Sequence, residues 1–401
     1  MKILILHRIP YHKIDYHRGI DHERHEVIYL GIESALATIP DDLRCERWLR
    51  PGEAATELEA IEILKQKQVH VDRVISLSEY ELMSAAIVRQ AFGIPGASIE
   101  QTHLVRNKLV MKEAVEQAGL RVPKNMSLRA YQQQGSASWQ GKTVLKPVDG
   151  ASSENVLIFA SLTEMDAALQ QQTTGVTALD NGDWDDWDVE EFVEGDIIHI
   201  DGLTFDGELQ LVVASKYIGT CLGFADGEPL GSVQIDTDAC LRRWTAEILA
   251  AVQIDAGSFH LEAIQHGDEL VFLEVANRVG GADVVDAVEQ ASGVHLPSAE
   301  LQAYLGETPA IPENINLDRK FGWFVFPGHH LDQEYCDVRH AEPFKDSEFV
   351  LRWNQLTPDK PLTRHITYQS VEVPVAGLVG AAQSDQLEQF MKRMFAEICV
   401  V

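Results

Sequence analysis

The chain has 401 residues, 45% of them hydrophobic, and a formal net charge of −29. At roughly 150 residues per domain this predicts two or three domains. The negative charge weighs against DNA or RNA as a partner, because phosphate binding to nucleic acid is driven by basic surface. A small phosphorylated ligand is not excluded, since a few lysines in one cleft, or Mg²⁺, outweigh the global field at short range.

The opening MKILILH meets His7 and Arg8 too early for a signal peptide. No apolar run approaches the roughly 20 residues of a membrane-spanning helix. A soluble, cytoplasmic protein without membrane contact is expected. Cys45, Cys221, Cys240, Cys336 and Cys399 are scattered and without CxxC spacing, which predicts reduced thiols rather than disulfides or a zinc site.

Residues 2–7 read as a first strand. Residues 52–68 have helical periodicity, 71–79 read as a second strand, and 80–93 as a helix stopped by Gly93. This βαβ order predicts a parallel sheet. The first strand–helix turn has no glycines, so a GxGxxG dinucleotide site is absent there. Residues 102–124 read as one further helix ending at Gly119. Short strands follow at 143–148, 155–159, 187–193, 197–205 and 208–218, with helices near 163–172 and 238–252. Residues 258–278 form two strands around His266–Glu269, and a helix begins at Gly281. In the tail, KFGWFVF and RHITYQSVEVPV read as antiparallel strands, and 383–396 as a terminal helix.

Four stretches carry chemistry. In VLKPVDGASSENVLIF (144–159) a lysine ends a strand, and a loop of small residues follows whose N–H groups can approach a phosphate. A plain hairpin with a mobile tip fits that stretch equally well. In VEEFVEG (189–195), beside a strand with His199 and Asp201, extended backbone can meet a purine edge; a surface strand with solvated acids is the competing reading.

Glu262 and Glu274 lie in otherwise apolar strands, where a carboxylate is costly unless paired or metal-bound, and Mg²⁺ takes one or two carboxylates plus phosphate oxygens. If they face each other, the hairpin centre falls on residue 268. A two-residue Gly267–Asp268 turn would put them on opposite faces. Arg278, on the face of Glu274, can hold a carboxylate or a developing oxyanion; a salt bridge from one glutamate to Arg278 is the simpler alternative. Gly280 and Gly281 would allow close approach of substrate.

In this order the four stretches resemble the ATP-grasp ligases over nearly the whole chain, with RNKLVMKEAVEQAGLRVP as the first lysine motif. The resemblance implies α/β and α+β architecture: a Rossmann-like N-terminal domain (1–100), a linker helix (101–123), a small central lid domain (124–195) and a C-terminal domain (196–401) carrying the metal site. It implies ATP and Mg²⁺ (or Mn²⁺) as cofactors. Lys108 and Lys146 would contact phosphates under a loop holding Ser152 and Ser153. Glu191, Phe192 and Val193 would line the adenine, and Glu194 and His199 would lie near the ribose. Glu262 and Glu274 would hold the metal. Arg278 would bind the acceptor carboxylate or the tetrahedral intermediate.

One position departs from the pattern. Many family members carry an asparagine two residues after the second glutamate; here it is Ala276, with Asn277 one step off. EVANRVGG is similar to ligases that join L-amino acids. The implied activity is amide or dipeptide synthesis through an acylphosphate, with small-molecule carboxylate and amine substrates. A ligase for a non-amino-acid carboxylate and a non-catalytic ATP-binding regulatory module are the competing readings. Homodimers are common among similar proteins.

Overall fold

The computed structural model describes residues 1–150, 153–312, 315 and 318–401. Ser152 lies outside the described residues. Among the described residues, no helix is long and apolar enough to cross a membrane.

The N-terminal part is a four-stranded parallel sheet in the order Glu46–Leu49, Glu26–Gly31, Lys2–Leu6, Arg73–Ile75. The apolar KILIL strand is its core, with Ile3, Leu4 and Ile5 fully buried. The strand order reverses direction between Lys2–Leu6 and Arg73–Ile75. In open parallel sheets such a switch point, at the carboxyl ends of the strands, is where ligands settle. His7, Arg8 and the segment Ser76–Glu81 lie there.

A second sheet of four antiparallel strands runs Asn125–Ser127, Trp187–Glu191, Thr143–Pro147, Leu157–Phe159. The largest sheet has eight strands. From one edge they are Glu269–Ala276, Gly257–His266, Asp196–Phe205, Glu208–Ile218, Leu230–Gln234, Lys320–Phe326, Val375–Ala381 and Val350–Gln355. One face packs on the helix Ala239–Ala251 through residues such as Trp244, Ile248 and Phe272. The other packs on Val284–Ser292 and Leu296–Leu305.

Two expectations need correction. The segment 102–124 is two helices, Ile99–Arg106 and Lys108–Gln117. Asn107 breaks them: its backbone is extended, and its side chain accepts from the N–H groups of Leu109 (3.1 Å) and Val110 (3.2 Å). An asparagine that can cap outcompetes helix continuation. Of RHITYQSVEVPV only the last residue, Val375, lies in a strand. Residues 369–373 turn back on themselves, with Val373 N–H donating to the Gln369 carbonyl at 3.1 Å. Its alternating apolar residues, Ile366, Tyr368 and Val373, pack against the core without strand pairing.

Candidate active site

The two glutamates face each other, by a route the sequence did not predict. The turn is the two-residue Gly267–Asp268 form, closed by His266 opposite Glu269. In regular pairing that turn would set Glu262 opposite Leu273. A β-bulge intervenes: Ala263 pairs Phe272 while Glu262 pairs Glu274, leaving Leu273 as the extra residue. Phe272 and Val275 consequently both enter the core. Leu273 and Glu274 both face a cavity of about 560 Å³ between the four-stranded antiparallel sheet and the eight-stranded sheet.

Lys108, Lys146, Glu262 and Glu274 all line this cavity, and so do Ser153, Glu191, Phe192 and Val193. Its apolar walls come from Val144, Ile158, Ile264 and Leu273. The break at Asn107 places Lys108 at the start of a helix, where a cation opposes the helix dipole. Two acceptors offset this: Lys108 Nζ lies 3.2 Å from Glu274 Oε2 and 2.5 Å from the Gly150 carbonyl. The same break straps down the base of the small-residue loop. Lys108 N–H donates to Val148 O at 2.9 Å, and Arg106 Nη2 to Asp149 O at 2.9 Å.

Burial works against the charge of Glu274, yet Lys108 and Lys146 hold its pKa down at about 2. It is therefore an anion at neutral pH. Two hard carboxylates facing one another beside two lysines are a donor set that suits Mg²⁺. Glu262 is oriented by the Tyr217 hydroxyl, which donates to it at 2.8 Å. Asn277 points away from the cavity and donates to the carbonyls of Ser258 (2.9 Å) and Ala256 (3.3 Å). It does not take the role of the asparagine that Ala276 replaces.

Lys146 sits in a buried ion network that the sequence analysis missed. Its Nζ is 2.7 Å from Glu190 Oε1. Glu190 also pairs with Lys112, whose Nζ is 2.5 Å from Asp188. Burial, reinforced by Lys112, lowers the pKa of Lys146, while Glu190 opposes the shift. Lys112 is fully buried, but its two carboxylates raise its pKa. The available signals were spacing: Lys112 is four residues after Lys108 on one helix face, and Asp188 and Glu190 are two apart on one strand face.

Other assignments shift. The N–H groups of Glu191 and Phe192 are committed to the carbonyls of Lys124 (2.9 Å) and Lys142 (3.0 Å). Glu194 points outward, 3.8 Å from Lys142 Nζ and 77% exposed. His199 is not in the cavity wall. It is 1% exposed, its Nδ1 2.6 Å from Asp201 and its Nε2 2.6 Å from Ser232 Oγ. Neither residue lines the cavity. Gly280 is explained by packing rather than substrate approach, because a Cβ there would lie 2.8 Å from both Asp201 Oδ1 and His260 Nδ1. Gly281 is open.

Arg278 reaches across to the N-terminal sheet. Its Nε donates to Glu79 Oε2 at 2.6 Å, and Arg106 binds the other oxygen of Glu79. Burial opposes the charge of Arg278, but Glu79 raises its pKa above the ordinary value.

The fold recurs in known structures. Superposition on the crystal structure of L-amino acid ligase from Bacillus licheniformis gives a TM-score of 0.72, at 18% identity, over 100% of this chain and 98% of that one. The chain has the ATP-grasp fold. An ATP-grasp neighbour, N5-carboxyaminoimidazole synthetase from Staphylococcus aureus complexed with ADP, superposes with a TM-score of 0.67 at 14% identity, covering 98% and 96% of the two chains. In sequence, the chain is 26% identical over 264 residues to an L-arginine-specific L-amino acid ligase of Bacillus subtilis. That match covers 64% of this chain and 63% of the relative, less than two thirds of its length. No family model matches the sequence.

Proposed function

We propose that this ATP-grasp protein is an ATP-dependent carboxylate–amine ligase that activates an amino-acid carboxylate as an acylphosphate and joins it to an amine, releasing ADP and phosphate. The observation that carries the reading is that Lys108, Lys146, Glu262 and Glu274 line one cavity, with Lys108 Nζ 3.2 Å from Glu274 Oε2. A cavity that joins lysines and facing carboxylates to apolar wall residues suits a nucleoside triphosphate with its metal ion. The sequence likeness to an L-amino acid ligase supports amino acids as the substrate class.

In this reading Lys108 and Lys146 neutralise the phosphates, and Glu262 and Glu274 hold Mg²⁺. The bound Mg²⁺ would supply charge neutralisation for phosphoryl transfer. The first step asks the chain for positioning rather than proton transfer, which fits a site whose lysines and carboxylates are fixed by ion pairs. The second step, attack of the amine on the acylphosphate, develops an oxyanion. Arg278, held by Glu79, is the donor that stabilises it. Ser153, Glu154 and Val156, which line the cavity, would help keep water from the acylphosphate.

Release of ADP and phosphate, screened across pairs of L-amino acids with Mg·ATP, tests the proposal. Turnover that requires both a carboxylate and an amine supports it. Nucleotide binding with no amine-dependent turnover for any pair favours a regulatory module instead.

A further inference from the structure

Behind the cavity lies a buried polar chain that the proposed chemistry does not use directly. Ser232 Oγ, His199, Asp201 and His260 are linked in sequence: 2.6 Å from Ser232 to His199 Nε2, 2.6 Å from His199 Nδ1 to Asp201 Oδ2, and 2.7 Å from Asp201 Oδ1 to His260 Nδ1. His260 Nε2 then lies 3.5 Å from Glu262 Oε1. Asp201 is 1% exposed, so its charge persists only because an imidazole N–H meets each oxygen. His260 and Glu262 are two apart on one strand and share a face.

The same three residues, His199, Asp201 and His260, have ligand atoms within 4.8 Å of one another, close enough to hold a metal ion. The hydrogen bonds argue otherwise. Both Asp201 oxygens and three of the four imidazole nitrogens are already satisfied within the chain. The remaining nitrogen, His260 Nε2, faces Glu262 and not the centre of the cluster.

Gly280 gives the chain its second contact. A side chain there would collide with the Asp201–His260 hydrogen bond, so the loop carrying Arg278 rests on that bond. One buried pair thus touches the strand of Glu262 and the loop of Arg278.

We propose that His260 is a positioning residue: anchored by Asp201, it fixes the orientation of Glu262 together with the Tyr217 hydroxyl and supports the Arg278 loop, so that metal ligand and arginine keep a constant separation. The inference rests on the reading of Glu262 as a metal ligand. It explains why the strand GSFHLEAI spends a buried histidine two residues before that glutamate. Partners that orient a ligating carboxylate typically change metal affinity 10–100-fold when removed.

The test is Mn²⁺ binding to the full chain, read by the electron paramagnetic resonance of free Mn²⁺ in the presence of a non-hydrolysable ATP analogue. His260→Asn keeps a donor near the Nδ1 position, and so the bond to Asp201, but no longer reaches Glu262. Its Mn²⁺ dissociation constant is expected to rise at least about fivefold, while analogue affinity without divalent ion changes less than about twofold. His260→Gln, which carries a donor near the Nε2 position but loses the bond to Asp201, is expected to lose less Mn²⁺ affinity than His260→Asn. In turnover, His260→Asn should lower kcat with little change in KM for the amino acids. Unchanged Mn²⁺ affinity in His260→Asn, or an equal loss in both variants, overturns the inference. A wild type that binds Mn²⁺ with the nucleotide but never forms an amide removes the ligase reading and leaves this inference standing. A wild type that binds no metal nucleotide overturns both.

Discussion

Arg278 donates through Nε to Glu79 at 2.6 Å, across 199 residues of sequence, joining the hairpin of Glu262 and Glu274 to the switch point of the N-terminal sheet. Glu79 is buried and binds Arg106 as well, and Arg106 in turn holds the carbonyl of Asp149. The arginine proposed for the oxyanion, the base of the phosphate loop and the N-terminal sheet therefore share one carboxylate.

If Arg278 acts on the oxyanion, Arg278→Ala should leave the dissociation constant for ATP within about threefold and lower amide formation by at least ~100-fold. Glu79→Gln keeps the shape but weakens both ion pairs, so it should lower kcat by a smaller factor, about tenfold, with ATP binding intact. Equilibrium nucleotide binding and steady-state amide formation check both. Amide formation at the wild-type rate in Arg278→Ala would remove the assigned role.

Lys112 is 0% exposed and compensates Asp188 and Glu190 together. Lys112→Met fits the space but leaves buried Asp188 without its cation and Glu190 with Lys146 alone. Removing one partner of a buried ion pair typically costs about 3–5 kcal/mol. Chemical denaturation should show a loss of that order. ATP affinity should fall as well, because Glu190 also holds Lys146. A stability change below about 1 kcal/mol would mean that the network contributes little.

Glu300 gives a pH signature independent of catalysis. It is 1% exposed, and burial raises its pKa to about 8, against the hydrogen bond it accepts from Tyr304 at 2.9 Å. An unfolded glutamate titrates near 4.3. Between those values the unfolded chain loses its proton while the folded chain keeps it, so stability falls as pH rises from about 4.5 to 8 and then levels. Glu300→Gln lacks this penalty. Its stability relative to wild type should grow between pH 5 and pH 8, by on the order of 3 kcal/mol. Thermal melts at the two pH values measure it. A difference independent of pH would contradict the assignment.

The facing pair of Glu262 and Glu274 was legible as a pair of interest because a lone carboxylate in an apolar strand has few cheap explanations. Its register was not, since turn length and bulge act together and only one of them has a sequence signature. His266-Gly267-Asp268-Glu269 marks a turn, whereas the extra residue Leu273 looks like any other strand residue. Lys112 was opaque for a related reason: in a helix that also carries Glu113 and Glu116, a lysine reads as solvated until its face is known. Asn107 was passed over because asparagine is tolerated within helices, and its capping bonds exist only once the chain has broken there. Glu79 could not be connected to Arg278 at all, because nothing local links positions 199 residues apart.

Acyl phosphate formation leaves an isotopic trace. With the substrate carboxylate labelled with ¹⁸O, the Mg·ATP-dependent reaction should place one labelled oxygen in each released phosphate, measured by mass spectrometry, and Glu274→Ala should abolish that transfer. Amide formation with no label in phosphate, or ADP release that is indifferent to the presence of a carboxylate and an amine, would contradict the proposed ligase.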